Sequence, residues 1–413
     1  MKKALISKSA LALIIALVLS LVNLPAQAAT KSVSMTPIPE TLVAGQQVTV
    51  SGTTTGSLKG TKVKVQIKVG KKWKTVKTVK SKKKSGKWSA TFRATSSTPA
   101  LSVRALAGSK KTKIQATAVI APLNIVARGP GSRILGVDLS RWQSSAQPVD
   151  FNKMAAAGVA FAFIKGSDGL LTEDALAVPH VIKWAPEAKA AGILVGYYHF
   201  ARIPVTVVPE EIVASAQAQA AQAAARLAEL GGYDDRTLPY VLDIEGVNST
   251  ITDEMVTLWT TTWLDEMQLA TSRAPVVYSY RSFLQDRLLQ SAVTKDKLRN
   301  YHLWLAQPGN PAKASVKVGQ GLKKGKPCYE TAWKQSDCSY VWTFWQYTSK
   351  GDREKYGIPW SPSVGSCPTG VSLCFPGKGT GRNHLDLNVF NGTAADLTAL
   401  VNGSWIRSPL EYR

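Results

Sequence analysis

From residue 134 onward, short apolar runs alternate with segments of helical pattern, and this alternation constrains the fold more than any other feature. The apolar runs lie at 134–137, 159–164, 193–198, 240–244, 275–278, 302–306, 342–347 and 385–390. The clearest helix begins at Pro209 and ends before Gly231 and Gly232. Another is predicted over residues 253–270, with Thr252 as its N-cap. Eight strands with helices after the first five predict an α/β fold, an irregular (β/α) barrel whose last strands lack helices.

A doubly wound open sheet is the alternative α/β architecture for such a pattern. That architecture commonly carries a glycine-rich phosphate-binding loop after its first strand. The chain has no such loop, which favours the barrel.

Polar or aromatic residues stand at the ends of most predicted strands. In α/β barrels the carboxyl ends of the strands meet around one mouth, where the active site lies. The predicted mouth residues are Asp138, Trp142, Tyr198, Asp243, Glu245, Tyr278, Gln346 and Asp386. Their recurrence at strand after strand indicates a shared site more strongly than any one of them does.

The stretch YVLDIEG (240–246) places Asp243 and Glu245 two positions apart at the end of an apolar run. Residues i and i+2 of a strand point to the same face, so both carboxyl groups should project to one side. Neighbouring carboxylates disfavour ionising together, and one tends to hold its proton near neutral pH. A proton donor beside a carboxylate is what glycoside hydrolysis requires. A pair of acids neutralised by Arg or Lys at a strand end is the alternative.

Eight motifs in this part of the chain carry a family resemblance. They are GVDLSRWQ (136–143), FAFIKGSDG (161–169), GYYHF (196–200), PYVLDIEG (239–246), PVVYSY (275–280), LWLA (303–306), FWQYTSKG (344–351) and LDLNVF (385–390). Together they resemble the glycoside hydrolase family 25 muramidases over residues 134 to about 392. The resemblance implies a lysozyme that cuts the β-1,4 bond between N-acetylmuramic acid and N-acetylglucosamine. It also implies Glu245 as general acid and Asp243 as its assisting carboxylate.

The other mouth residues are assigned to substrate binding. Asp138 and Asp386 come from the first and last strands, which are neighbours in a closed barrel, so they can line the groove or hold its loops. Trp142, Tyr198 and Tyr278 offer flat faces for sugar rings, although aromatic residues also suit a barrel rim for structural reasons. The sequence departs from the family at Asp168, where the family usually has Glu.

The first 28 residues have the order of a secretory signal peptide. Lys2 and Lys3 precede an apolar stretch over residues 10–24, and the small-residue triplet 26–28 follows. The predicted mature protein is therefore secreted, extracellular or wall-associated, with no membrane span after cleavage. In such a compartment cysteines form disulfides. Four cysteines allow three pairings, of which the local one joins Cys328 with Cys338 and Cys367 with Cys374.

The net charge of +24 is concentrated between residues 30 and 121. That segment holds nineteen lysines and arginines and one acid, Glu40. Its period-2 runs, among them 63–69, 88–94 and 114–120, predict about seven short strands, typical of an immunoglobulin-like sandwich. The lysines are either a solvated face or a surface for anionic wall polymers. No recognition motif points to nucleic acid.

The predicted organisation is a signal peptide (1–28), a basic sandwich (30–121), a linker (122–133) and a catalytic barrel (134–407). The predicted partner is peptidoglycan, with anionic wall polymers as a further partner of the sandwich. No cofactor is expected, and no cysteine or histidine spacing favours a metal site. The alternative functions are a non-catalytic wall-binding protein and a glycosidase acting on another N-acetylhexosamine polymer.

Overall fold

The computed structural model describes residues 30–94, 100–143, 148–170, 172–288, 297–311, 317–319, 333, 339–359 and 383–404. The predicted signal peptide and all four cysteines, Cys328, Cys338, Cys367 and Cys374, lie outside the described residues, so cleavage and disulfide pairing stay predictions. Among the described residues, no helix combines the length and apolar character needed to span a bilayer.

Eighteen strands are described along the chain. They are β1 (Thr41–Val43), β2 (Gln47–Thr53), β3 (Lys62–Val69), β4 (Lys72–Lys80), β5 (Lys87–Arg93), β6 (Ala100–Ala107), β7 (Lys110–Lys111), β8 (Gln115–Ile120), β9 (Ile134–Leu139), β10 (Val159–Asp168), β11 (Leu194–Phe200), β12 (Val241–Asp243), β13 (Val276–Tyr280), β14 (His302–Ala306), β15 (Lys317–Gly319), β16 (Ser339–Val341), β17 (Phe344–Asp352) and β18 (Asn383–Phe390). Strands β9 to β14, β17 and β18 form a closed barrel of eight strands. All eight contain or overlap the apolar runs from which the barrel is predicted.

The described α-helices are α1 (Phe151–Ala156), α2 (Thr172–Ala190), α3 (Pro209–Glu229), α4 (Asp253–Thr271), α5 (Arg281–Asp286) and α6 (Ala394–Val401). The first five each follow one of the strands β9 to β13, as the sequence predicts. Thr252 caps α4, since its hydroxyl accepts a hydrogen bond from the Met255 N–H. The α3 helix begins at Pro209, and Gly231 and Gly232 follow its end with positive φ.

The last strand runs in the direction opposite to the one the barrel prediction implies. Strand β18 pairs antiparallel with both β17 and β9, whereas the other barrel pairs are parallel. An antiparallel neighbour needs no helical crossover, which agrees with the non-helical pattern before this strand. Asp386 therefore comes to the mouth from the first half of its strand, directly opposite Asp138.

Alternate residues of each barrel strand face either the helices or the barrel interior. One buried cluster joins the helices to strand residues such as Val137, Ile164 and Leu242. The interior cluster contains the alternate strand residues, among them Phe161 and Phe163. A Cβ on Gly136 or Gly196 would lie within about 2.3 Å of these two rings, so glycine makes the room that the two phenylalanines fill.

The strands from residue 30 to residue 121 form two sheets. One has the order β1-β8-β6-β3-β4 with β7 beside β6, and the other pairs β2 with β5. Trp88, Ala90 and Phe92 are buried, as their alternation predicts. The alternation predicted for residues 114–120 is wrong, because Ile114 and Ile120 are exposed and Thr117 is buried. The Thr117 hydroxyl donates to the Pro39 carbonyl at 2.7 Å, which satisfies its buried polar group.

Contacts divide the described residues into two compact units. One comprises residues up to 36 with Ser51–Ala90 and Val103–Gln115, and the other comprises Pro37–Val50, Thr91–Ser102 and the residues from 116 onward. The predicted boundaries of the sandwich, the linker and the barrel stay predictions.

Candidate active site

The predicted mouth residues, apart from Trp142, occupy the inward-facing positions of the barrel strands or continue them past the strand end. On β9 the inward positions are Ile134, Gly136 and Asp138, and on β11 they are Leu194, Gly196 and Tyr198. On β12, Val241 and Asp243 are followed by Glu245 beyond the strand. Each series begins with an apolar residue or glycine and ends with a polar group. The barrel thus has an apolar interior and a polar mouth.

Asp138 is the centre of a hydrogen-bond network at the mouth. Its Oδ2 accepts from Nδ2 of Asn388 at 2.8 Å and from Nε2 of Gln346 at 3.1 Å. The Tyr278 hydroxyl donates to Oε1 of Gln346 at 3.0 Å, and the Trp304 indole donates to Oδ1 of Asn388 at 2.8 Å. The network therefore fixes side chains from five barrel strands against one carboxyl group.

Asp386 forms a third hydrogen bond with this carboxyl group. Burial raises the pKa of Asp138 to about 6, although hydrogen bonds from Asn388, Gln346 and Asp386 oppose the rise. Burial, together with the charges of Asp138 and Glu245, raises the pKa of Asp386 well above its usual range. Of the two carboxyl groups, Asp386 is therefore the one whose surroundings favour the protonated form, and Asp138, held by hydrogen bonds from Asn388 and Gln346, is the better acceptor.

Asp243 and Glu245 lie close enough to influence each other's ionisation. Burial and then the charge of Glu245 raise the pKa of Asp243 well above its usual range. Burial and the charge of Asp138 raise the pKa of Glu245 to about 7. Asp243 is 5% exposed, and its buried Oδ1 has no hydrogen-bond partner among the described residues. The surroundings of the pair therefore favour the protonated forms of both groups, and Asp243 has an unused acceptor atom.

Lys165 is the cation beside these carboxyl groups. Its charge lowers the pKa of both Asp243 and Glu245, against the larger effect of burial. Its ammonium lies 2.9 Å from Oδ2 of Asp168 and 4.4 Å from the centre of the Phe200 ring. Asp168 also accepts from Nε of Arg202 at 2.7 Å. Burial raises the pKa of Asp168, but Arg202 and Lys165 lower it overall, so this carboxyl group is ionised.

Aromatic rings lie beneath the carboxyl groups. Tyr198 and Tyr278 are each 7% exposed, and the ring centres of Tyr278 and Trp304 lie 4.4 Å apart. Trp142 stands apart from them on a short 3-10 helix, 44% exposed, with the Arg141 guanidinium 4.6 Å from its ring centre. The structure thus brings Tyr198 and Tyr278 to the mouth and leaves Trp142 on the surface.

His199 belongs to the wall of the barrel rather than to the mouth. It is fully buried, with Nδ1 2.8 Å from the Ser167 hydroxyl and Nε2 2.9 Å from Oε1 of Gln219. Burial lowers its pKa to about 4, so the imidazole is neutral and structural.

The sequence places Lys165 and Asn388 at predicted strand ends without assigning them to the site, and it does not single out Trp304, yet all three contact or influence the predicted site residues. A sequence signal for them exists. Lys165 follows Phe161 and Phe163 at the same period of two, and Asn388 lies in phase with Asp386. Two sequence criteria can mark a residue of the mouth: being in phase with the inward-facing apolar residues of its strand, and standing at the strand's end. The first criterion is therefore the better indicator.

Chemically, the site combines a proton held by buried carboxyl groups, an ionised carboxylate and flat rings beneath them. Such an arrangement can protonate a leaving oxygen and stabilise positive charge that develops on a sugar ring. Lys165 favours the ionised forms of Asp243 and Glu245, and hydrogen bonds from Asn388 and Gln346 favour the ionised form of Asp138.

Comparison with known proteins identifies the family. The sequence model described as "Glycosyl hydrolases family 25" matches residues 137–355, more than half of the chain. Lysozyme M1 of Streptomyces globisporus is 27% identical over 286 residues, which cover 66% of this chain and 73% of that protein. YegX of Escherichia coli K12, an uncharacterized protein, is 24% identical and covers 65% of this chain and 74% of its own length.

Solved structures with similarity to the chain include a muramidase and a lysozyme of this family. The muramidase from Acremonium alcalophilum is 25% identical with a TM-score of 0.41, covering 66% of this chain and 100% of its own. The family GH25 lysozyme from Aspergillus fumigatus is 22% identical with a TM-score of 0.40, covering 65% of this chain and 98% of its own. Since the family model spans more than half of the sequence, the chain belongs to glycosyl hydrolases family 25 and is a glycoside hydrolase of the lysozyme type.

Proposed function

We propose that the protein hydrolyses the β-1,4 bond between N-acetylmuramic acid and N-acetylglucosamine in peptidoglycan. The observation that supports this most directly is the position of Asp243 and Glu245, two carboxyl groups withdrawn from water side by side at the barrel mouth, where burial raises the pKa of both. An enzyme that cleaves a glycosidic bond needs a proton for the leaving oxygen.

In the proposed mechanism Glu245 donates the proton. Its carboxyl group is less buried than that of Asp243, so it is the one that a polymer at the mouth can reach. With a pKa of about 7, it is half protonated at neutral pH and accepts the proton back readily, as a general acid should.

Asp243 takes the second role. In the reacting complex Asp243 is the ionised member of the pair and Glu245 the protonated one, because positive charge that develops on the sugar favours the ionised form of a nearby carboxyl group. The pair's one proton is then the proton that Glu245 gives to the leaving oxygen. The unpaired Oδ1 of Asp243 can face the sugar's charged carbon or accept from the N–H of its 2-acetamido group. Asp138, held by Asn388 and Gln346, supplies the fixed negative charge beside this pair.

The remaining predicted site residues are proposed to bind the polymer. Tyr198 and Tyr278 would pack against a sugar ring, because an aromatic face matches the apolar face of a pyranose. Gln346 and Asp386 would hold Asp138 and line the groove. Trp142, exposed on its short helix, would contact a more distant part of the polymer.

The proposal includes the setting of the enzyme. The chain is secreted after cleavage of the segment 1–28, and the irregular barrel is preceded by an immunoglobulin-like sandwich. The basic charge of that sandwich would retain the enzyme near anionic wall polymers. Two alternative functions remain. The first is a barrel that binds the wall without cutting it, and the second is a glycosidase for another N-acetylhexosamine polymer.

One experiment distinguishes these three functions. Purified peptidoglycan is incubated with the protein, new reducing ends are reduced with borohydride, and the sugars are identified by mass spectrometry after hydrolysis. We expect reduced N-acetylmuramic acid. Reduced N-acetylglucosamine would show that a different bond is cut, and an absence of new ends would leave the non-catalytic alternative.

A further inference from the structure

The N-terminal sheet carries a cationic face that the hydrolase site does not use. In β3, Val63, Val65 and Ile67 are buried, so Lys62, Lys64, Gln66 and Lys68 lie on the opposite side. The residues paired with these four face the same way. We name this side the outer face; its cations are Lys62, Lys64, Lys68, Lys80, Arg104 and Lys111.

These cations are not neutralised within the protein. None of the six forms an ion pair with another described residue. The only acid between residues 30 and 121 is Glu40. The lysines of β3 span about 20 Å at the rise of an extended strand. The outer face is thus a row of positive charge long enough to follow a polymer rather than a small ion.

Protection of the sheet edge explains only part of this charge. Lysines on an edge strand discourage pairing with another chain, and β4 is such an edge. Lys62, Lys64 and Lys68, however, lie on β3, which has β6 on one side and β4 on the other. A strand paired on both sides needs no protection, so its lysines require another reason.

A rigid arginine lies at the centre of the outer face. The Arg104 guanidinium lies 3.9 Å from the centre of the Trp73 ring, and its Nε donates to Oε1 of Gln66 at 3.0 Å. Gln66 in turn donates from Nε2 to the Thr75 hydroxyl at 3.2 Å. These contacts link three strands. Within the described residues, the two terminal nitrogens of Arg104 make no hydrogen bond, and they form a fixed fork for a bidentate anion.

We propose that the outer face binds an anionic polysaccharide, with the Arg104 fork on one acidic group and the lysines along the chain. Charge complementarity favours a polyanion as the partner. Because contacts with Trp73 and Gln66 already fix the Arg104 guanidinium, little conformational entropy is lost when it binds an acidic group. The ring of Trp73 and the hydroxyls of Thr75 and Thr78 offer the mixed apolar and polar surface that sugars need. The inference deepens the proposed retention at the wall, because it names the surface and the chemical class of its partner.

The test compares variants of the full-length protein that carry the same net charge. Binding to immobilised polygalacturonate is measured at low and at physiological salt. The outer-face variant is Lys62→Gln, Lys64→Gln, Lys68→Gln and Lys80→Gln. The matched control removes four lysines from turns, Lys71→Gln, Lys82→Gln, Lys83→Gln and Lys84→Gln. We expect the outer-face variant to bind about tenfold more weakly than the control at low salt.

A third variant, Arg104→Lys, keeps the charge and removes the fork, and about tenfold weaker binding is expected. Equal binding by the outer-face variant and the control would overturn the proposal, as would wild-type affinity in Arg104→Lys. Tighter binding of duplex DNA than of polygalacturonate would also overturn it. Melting temperatures check that each variant is folded.

The release of reducing ends from soluble peptidoglycan fragments is measured for the same proteins. Since the outer face lies outside the barrel, hydrolysis should be the same in all of them. Wild-type protein that binds polygalacturonate but releases no ends would overturn the proposed hydrolysis while leaving the binding proposal standing. Wild-type protein that releases reducing ends but does not bind polygalacturonate would overturn the binding proposal while leaving the proposed hydrolysis standing.

Discussion

The mouth of the barrel and the outer face of the N-terminal sheet both gather charges of one sign, but they do so in different surroundings. At the mouth, four carboxyl groups are largely buried, and burial is the first cause of every raised pKa among them. On the outer face, the lysines extend into water, where like charges repel weakly. Burial therefore favours the protonated forms of the neighbouring carboxyl groups at the mouth. Exposure to water leaves the lysines of the outer face charged, so that they can attract a partner from a distance.

The difference also separates the two kinds of chemistry. A proton held by Glu245 acts on one bond over a few ångströms, and its value depends on position. The field of the outer face acts over about a Debye length, roughly 8 Å at physiological salt, and depends on the number of charges. A single conservative change should therefore disable the mouth, whereas binding by the outer face should weaken gradually as its lysines are replaced, with the Arg104 fork as the one position where a conservative change matters.

The largest expected effect is on the mouth. Glu245→Gln removes the proton donor and keeps the side chain's size, so we expect reducing-end release from peptidoglycan to fall about 10²- to 10⁴-fold. Glu187→Gln, at an exposed position of α2, is the matched control and should behave as wild type. If Glu245→Gln released reducing ends at the wild-type rate, Glu245 would not be the general acid. The statement that the mouth, unlike the outer face, depends on one positioned group would then be wrong.

A smaller effect is expected from pH. Because the raised pKa keeps the donor protonated up to about 7, kcat/KM should fall only above that value, about tenfold per pH unit. A carboxyl group with its ordinary pKa of 4.5 would lose activity two to three pH units lower. Added salt should hardly move this limb, since buried charges are poorly screened. A fall in kcat/KM that begins near pH 5 would contradict the conclusion that burial raises the pKa of Glu245.

The smallest expected effect distinguishes the carboxyl groups of Asp138 and Asp386. The charge of Asp138 raises the pKa of Glu245, so Asp138→Asn should move the alkaline limb of kcat/KM to lower pH by a fraction of a unit. Burial and neighbouring charges raise the pKa of Asp386 and so favour its neutral form, and Asp386→Asn should therefore move the limb less than Asp138→Asn does. Equal displacements would contradict the preference of Asp386 for its neutral form.

Much of the barrel could be predicted from local pattern. The period of two in FAFIK and the apolar runs after it locate the strands, and Thr252 and Pro209 mark helix starts that the structure reproduces. These features depend on neighbouring residues and elementary sterics, which the sequence contains directly. Asp243 and Glu245 could be singled out for the same reason, since two acids at the end of an apolar strand are costly without a use.

The antiparallel direction of β18 and the phase of β8 could not be predicted in this way. A period of two is the same for parallel and antiparallel strands, and it does not say which alternate face a neighbour will cover. Ile114 and Ile120 read as core and are exposed, while Thr117 is buried with a hydroxyl partner on Pro39. Such outcomes are decided by contacts between residues distant in sequence.

The sequence by itself determined the eight-strand α/β barrel, the acids at the end of its fourth strand and the basic character of residues 30–121. Only the tertiary structure decided that Asp386 faces Asp138, that Lys165 adjoins Asp168, and that the Arg104 guanidinium lies over the Trp73 ring. The physical reason is that composition and periodicity fix which groups are present and which side of an element they occupy. The pKa of a carboxyl group and the partner of a guanidinium depend on what other elements bring within a few ångströms.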